Sequence, residues 1–319
     1  MSTASVSRAL NAPDSVRPEL RDRVAQAVAE LGYVRNGAGR ALASLRTGVV
    51  GALVPCLADG VHDRILGALE AGLRSSGYVL AIAVAGPDDA ASQARKLLSL
   101  GVEGMVSIGG ANPSEVQALI ERRRIPWVEI AGDSAASDRG SVGIDFSRAA
   151  TTVAQYLHGI GHRRFGFLGG APGMPALWGD RSPALQGALG ALTNASLIEA
   201  PLGASGFEAA AETASRWARQ PSPPTAIVCL DDLAAAGAVR GCESAGAAVP
   251  RDVSVAGFGD VEWARFARPA LTTVRLPLAD AGRAAADRLL ALLSGQSVAH
   301  PALVARLIVR GSSGPPPAP

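Results

Sequence analysis

The first eleven residues, MSTASVSRALN, set hydroxyls and one guanidinium at helical spacing around apolar positions. Ser2, Thr3, Ser5, Ser7, Arg8 and Asn11 are hydrogen-bonding groups, and Val6, Ala9 and Leu10 supply an apolar face. Such a surface does no covalent chemistry; it can grip or read a polar partner. Residues 1–46 carry seven arginines (8, 17, 21, 23, 35, 40, 46) against four acids (Asp14, Glu19, Asp22, Glu30). The net charge of the whole chain is only +2, so the remainder is about neutral and the first segment is a small basic module. Elsewhere the chemistry of an enzyme is missing. There is no G-x-S-x-G elbow, no Walker loop and no His/Cys metal cluster. His158 and His162 are four apart, but Gly159 and Gly161 interrupt the helix that would pair them. Gly166–Gly170 (GFLGG) reads as a tight strand-to-helix turn rather than a phosphate cradle. Cys56, Cys229 and Cys242 lack metal-ligand spacing and sit in or beside apolar stretches; they read as reduced cytosolic thiols, mostly buried. No cofactor, no metal and no catalytic residue is expected.

The elements that would position these residues can be read from periodicity. Residues 3–10 are a helix with Ser2 as its N-cap. Asn11-Ala12-Pro13-Asp14 breaks it. A second helix runs over 18–31, with Pro18 at its first position, Leu20, Val24, Val28 and Leu31 on one face, and Gly32 as its stop. A weaker segment follows from Ala38 to Leu45. Then apolar runs alternate with amphipathic helices: 48–55, 78–85, 104–108, 127–131, 141–144, 164–168, 225–230 and 253–258. Alternation of this kind predicts parallel sheet, and this many strands predict two doubly wound lobes. The chain has 319 residues, 48% hydrophobic and 18% charged, which is globular composition. No apolar run is long enough to span a bilayer, and no signal peptide precedes the first module, so a cytoplasmic protein with no membrane partner is expected. Gly311–Pro319 (GSSGPPPAP) is predicted to be a disordered tail.

These pieces together resemble the LacI/GalR family of transcriptional regulators. Ser5-Val6-Ser7-Arg8-Ala9-Leu10-Asn11, then Val16, Arg21, Val24, Leu31-Gly32-Tyr33 and Asn36, resemble its recognition helix and third helix. Arg40-Ala41-Leu42 resembles its hinge helix. His162-Arg163-Arg164, Asp231-Asp232-Leu233-Ala234, the run Val249–Phe258 and Pro269–Val274 follow in order and spacing. The resemblance implies an α/β fold: two doubly wound parallel-sheet lobes, periplasmic-binding-protein-like, over 47–310, preceded by a truncated all-α helix-turn-helix module over 1–46 with its hinge helix at about 37–45. It implies Thr3, Ala4 and Arg8 as base readers, with Arg8 able to pair bidentately with guanine and Ala4 able to pack on a thymine methyl. Ser2, Ser5, Ser7, Asn11, Tyr33 and Asn36 would touch phosphates. Leu42 would wedge into the minor groove, in a hinge expected to fold only on DNA.

The same resemblance implies a homodimer on operator DNA and a small-molecule effector, a sugar or sugar acid, between the lobes. The chain should cross between lobes near Asp145, near Thr273 and near residue 303. Ligands in such sheets sit at the carboxyl ends of strands. That nominates Asp59, His62, Asp133, Asp145, Trp178, Arg181, Asp231 and Asp260. Three usual polar positions depart from the family pattern, to Ala184, Gly259 and Leu276. Two competing readings are a ligand-binding protein of the same fold without DNA activity and an α/β enzyme; the basic module opposes the first and the absence of a nucleophile–base or cofactor motif opposes the second. One further expectation concerns the start. The residues matching the family begin inside its helix-turn-helix, and Met1 stands where the family commonly has valine. A GTG codon misread as a start would place the true beginning about 15 to 20 residues upstream, the length of one helix plus an arm; the alternative is a true loss of that helix. A chain beginning at Met1 is expected to bind ligand and dimerise but to hold DNA poorly.

Overall fold

The computed structural model describes residues 2–11, 13–33, 46–57, 60–86, 88–109, 114–131, 141–170, 181–202, 206–296, 298 and 303–318. The chain divides into two compact units, Met1–Thr47 and Gly48–Pro319.

In the first unit, helix α1 (Thr3–Asn11) leads through a single 3-10 turn (Pro13–Ser15) to α2 (Pro18–Leu31). Ser2 caps α1: its Oγ accepts from the Ser5 amide at 3.2 Å. Helix α2 ends at Gly32, which adopts φ 57°, while the Tyr33 amide donates to the Val28 carbonyl at 3.0 Å. This is the left-handed stop that glycine makes cheap. Ala9 of α1 and Val24 of α2 are buried.

The second unit holds two sheets. The first comprises β1 (Val49–Val54), β2 (Val79–Val84), β3 (Gly104–Ile108), β4 (Trp127–Ala131) and β5 (Ser141–Gly143), all parallel, in the order β2-β1-β3-β4-β5. The second comprises β6 (Arg164–Gly170), β7 (Ser196–Leu202), β8 (Ala226–Cys229), β9 (Ser254–Gly259), β10 (Thr272–Arg275) and β11 (Arg306–Ile308), in the order β11-β10-β9-β8-β6-β7. Its pairs are parallel except β10 with β11. Helices α3 (His62–Ser75), α4 (Ala90–Ser99) and α5 (Ser114–Arg123) belong to the first sheet. Helices α6 (Phe146–Gly159), α7 (Arg181–Gly190), α8 (Gly206–Ala218) and α9 (Asp232–Ser244) belong to the second. Helix α10 (Leu278–Leu293) follows β10 yet packs on α3 and on β3, β4 and β5. The chain therefore passes between lobes at 144–145, at 276–277 and near Leu303, where Ile144 and Leu303 form a parallel bridge.

One apolar core runs across both lobes, from Val50, Ile65 and Leu69 through Ile144 and Phe146 to Phe165 and Val228. The outer face of each sheet has its own core under α4 and α5, or under α8 and α9. Helices α8 and α9 are unusually close. A Cβ on Gly237 would lie 2.2 Å from the Phe207 carbonyl oxygen, and one on Gly241 2.0 Å from that of Ala211. Only hydrogen fits there.

One expectation is overturned. The segment 311–318 is not disordered but docked beside β9 and β10. Ser312 is fully buried; its Oγ accepts from the Thr272 amide at 2.8 Å and donates to the Val255 carbonyl at 2.6 Å. The Val255 amide donates to the Ser312 carbonyl at 2.8 Å, and the Gly314 amide to Ser254 Oγ at 3.0 Å. His162 Nε2 lies 2.9 Å from the Gly314 carbonyl, which can only accept, so that nitrogen carries the proton. Its Nδ1 then accepts from the Thr225 hydroxyl at 3.0 Å. Burial lowers the His162 pKa, in keeping with a neutral ring. The tail is fixed by backbone polar groups, which composition does not reveal.

Candidate ligand cleft and nucleic-acid interface

On α1, Ser7 and Arg8 are exposed and Ser5, one turn before the buried Ala9, is half-buried. Ser2 is exposed, but its hydroxyl is engaged in the cap and lies 2.9 Å from Ser5 Oγ. Thr3, Ala4 and Asn11 occupy helical positions on α1. Tyr33, 52% exposed, follows α2. Asn36 and Leu42 lie outside the described residues.

At the carboxyl ends of β1, β8, β9 and β10 a cavity of about 1010 Å³ opens between the two lobes. The first lobe contributes Cys56, Gly60, Val61, Asp63 and Arg64; the second contributes Asp231, Asp232, Phe258, Asp260, Glu262, Trp263, Arg275 and Arg310 among others. The lobes touch at its edge. Gly60, at φ 73°, comes so close to Val261 that a Cβ would lie 2.8 Å from Val261 Cγ1. Arg64 donates from Nη1 to the Asp260 carbonyl at 3.2 Å.

Asp260 is the pivot of the second lobe's wall. It has φ 52°, a left-handed conformation uncommon outside glycine. Its Oδ2 accepts from Arg275 Nε at 2.5 Å and its Oδ1 from Arg310 at 2.6 Å. Its amide donates to Thr273 Oγ1 at 3.3 Å. Burial pushes its pKa up, but the hydrogen bonds and charges of Arg310 and Arg275 outweigh that and hold it below the usual range. Asp232, 1% exposed, opens α9; its Oδ1 accepts from Thr273 Oγ1 and its Oδ2 from the Val261 amide at 2.8 Å. Burial pushes this carboxyl up to about 6 despite both hydrogen bonds, with Asp231 and Asp260 adding repulsion.

The nominated ligand residues divide. Asp231 and Asp260 line the cavity. Asp231 also caps α9, accepting from the Ala234 amide at 2.7 Å. Asp145 is the cap of α6, accepting from the Arg148 amide at 2.8 Å, and is not on the cavity wall. Capping satisfies an orphan helix donor and commits one oxygen of each carboxylate. His62 starts α3, fully buried, with Nδ1 3.4 Å from Cys56 Sγ. Arg181 is also fully buried, its guanidinium 5.3 Å from the centre of the Phe146 ring. Asp59, Asp133 and Trp178 lie outside the described residues. Of the departures, Gly259 turns the chain at φ 126° and Leu276 is buried in the core. Sequence reasoning missed Arg64, Asp232, Arg275 and Arg310. Asp232 was signalled by its doubled carboxylate with Asp231. The three arginines carried no local signal, because their partner Asp260 is 196, 15 and 50 residues away.

Two known domains match this chain. Residues 154–313 match the periplasmic binding protein-like domain, and residues 1–36 match the bacterial regulatory proteins of the lacI family. The HTH-type transcriptional repressor CytR of Escherichia coli is 31% identical over 98% of this chain and 93% of its own length. The chain belongs to the lacI family of bacterial regulatory proteins. Catabolite control protein A of Staphylococcus epidermidis is 28% identical, over 98% of this chain and 96% of its own. Among solved structures, the lac repressor dimer bound to operator and the anti-inducer ONPF superposes with a TM-score of 0.85 at 22% identity, covering 98% of this chain and 96% of that one. The transcription regulator GntR of Chromobacterium violaceum superposes at 0.74 and 29% identity, covering 83% and 99%. No described helix is long and apolar enough to cross a membrane, and no metal-binding cluster occurs among the described residues.

Proposed function

We propose that this lacI-family regulator is a cytoplasmic, DNA-binding transcriptional repressor, acting as a homodimer on operator DNA and controlled by a sugar or sugar acid held between its lobes. The observation that carries the reading is the cavity at the carboxyl ends of strands from both lobes, walled by Asp231, Asp232, Asp260 and Trp263. Carboxylates chelate hydroxyls, and an aromatic face suits a sugar ring. A ligand touching both lobes biases their hinge, and a hinge bias is how a cleft ligand can alter a DNA grip made by another part of the chain. On the DNA side, Arg8 would read guanine with Thr3 and Ala4 beside it. Ser5, Ser7, Asn11, Tyr33 and Asn36, together with Ser2, would hold phosphates, and Leu42 would wedge the minor groove.

The test has two parts. An operator is selected from a random duplex library with the full chain, and its affinity is then measured against a panel of sugars, sugar acids and nucleosides. A sugar or sugar acid that both raises the melting temperature and shifts operator affinity supports the reading. A nucleoside that does so while all sugars fail removes the ligand class, and selection that enriches no sequence removes sequence-specific DNA binding by this chain on its own.

A further inference from the structure

We infer that the cleft ligand carries an anionic group, a carboxylate or a phosphate on a polyhydroxy body, and that Arg64 is the residue that recognises it. This rests on the cleft reading given above. The cavity's other arginines are committed: Arg265 to Glu262 at 2.6 Å, Arg275 and Arg310 to Asp260 at 2.5 and 2.6 Å. Its carboxylates are also engaged. Asp63 Oδ1 accepts from the Arg64 amide at 2.9 Å, Asp231 from Ala234, and both oxygens of Asp232 accept. Arg64 differs. It is exposed, lines the cavity, and among the described residues its guanidinium holds no carboxylate; its bond is to the Asp260 carbonyl at 3.2 Å.

Its position adds to the case. Arg64 stands in the first turn of the fourteen-residue helix α3, where the N-cap residue Val61 makes no side-chain cap hydrogen bond and Asp63 Oδ1 takes the Arg64 amide. The positive end of that helix and the guanidinium act on the same small volume. A cationic ligand there would meet both repulsions. A neutral sugar would leave the guanidinium without a charged partner. A carboxylate or phosphate accepts the planar fork and is the chemistry Arg suits best. Because Arg64 belongs to the first lobe and bonds the second, an anion held there sits at the lobe junction, with hydroxyls free to reach Asp231 and Glu262 across the cleft.

The experiment is isothermal titration of the full chain with three matched probes: glucose, gluconate and glucose 6-phosphate. Gluconate or glucose 6-phosphate should bind at least about ten-fold more tightly than glucose, and which of them does so separates carboxylate from phosphate. Arg64→Gln should weaken that anion about ten- to hundred-fold, the loss of a charge-assisted pair, while the unliganded chain still unfolds in one cooperative transition and glucose affinity stays the same. Added salt should weaken the anion and not glucose. Glucose binding as tightly as the anions, or an anion affinity indifferent to Arg64→Gln, overturns the role of Arg64 and leaves the cleft reading standing. Failure of all three probes overturns the sugar reading of the cleft and this inference with it.

Discussion

Replacing Asp232 by asparagine should change how stability depends on pH, in one direction. The side chain is 1% exposed, and burial raises its pKa from 3.8 to about 6. Between those values the folded chain keeps a proton that the unfolded chain has released. The stabilisation this confers is complete below 3.8 and is lost as pH rises through about 6. Two pKa units and a little more, at about 1.4 kcal/mol each, make about 3 kcal/mol in all, of which about 2 kcal/mol falls between about pH 4.5 and about pH 7.5. Two other groups act the opposite way. Burial lowers the His162 pKa below 6.5, so its contribution is present above 6.5 and lost as pH falls through the folded value. Asp260 is held low by Arg310 and Arg275 against burial, so its contribution disappears only in stronger acid. Both groups persist in Asp232→Asn, so the difference between variant and wild type isolates Asp232. The amide fits the site: its oxygen can accept from the Val261 amide, and its NH2 can donate to Thr273 Oγ1. Urea unfolding followed by tryptophan fluorescence reads the effect. The variant should gain about 2 kcal/mol relative to wild type across that pH range. A difference that stays constant with pH would refute the argument, because it would mean that the buried carboxylate does not take up the proton.

Gly241→Ala should destabilise by about 3 kcal/mol in urea unfolding, because the new methyl would stand 2.0 Å from the Ala211 carbonyl and must force α8 and α9 apart; a loss under about 0.5 kcal/mol would show that the helices yield freely. Ser312→Ala should cost about 2 kcal/mol by leaving the buried Thr272 amide and Val255 carbonyl without partners, and the 311–318 segment should become open to hydrogen exchange or proteolysis. Unchanged protection there would contradict the docked tail. Arg8→Ala should weaken selected operator DNA by about 1–3 kcal/mol and relax base preference at one position, with little change in affinity for random duplex. Equal losses on both DNAs would make Arg8 a phosphate contact.

Much of the architecture was legible because periodicity is a local property. The 3.6-residue pattern of Leu20, Val24, Val28 and Leu31 places α2 to the residue, and the runs at β1, β3 and β4 declare themselves by their mostly apolar content. Strand β7 was missed: it lies at the sheet edge, is only partly buried, and Glu199 and Pro201 interrupt its apolar run over Ser196–Leu202. Strand β11 is three residues long and pairs antiparallel at the other edge, beyond what a short window can detect.

The sequence by itself determined the class: a short basic helical module ahead of alternating strands and helices, with carboxylates at strand ends. Each of these depends on neighbours within a few residues. Tertiary structure alone decided which polar groups are available. Asp145 and Asp231 each spend one carboxylate oxygen on capping a helix, His62 and Arg181 are buried, and the Pro-rich end is pinned through Ser312 and Gly314. It also brought Arg275 and Arg310 onto Asp260 and left Arg64 at the lobe junction. Hydrogen bonding and desolvation depend on distance in space, and the folded chain brings together polar groups that the sequence keeps as many as 196 residues apart.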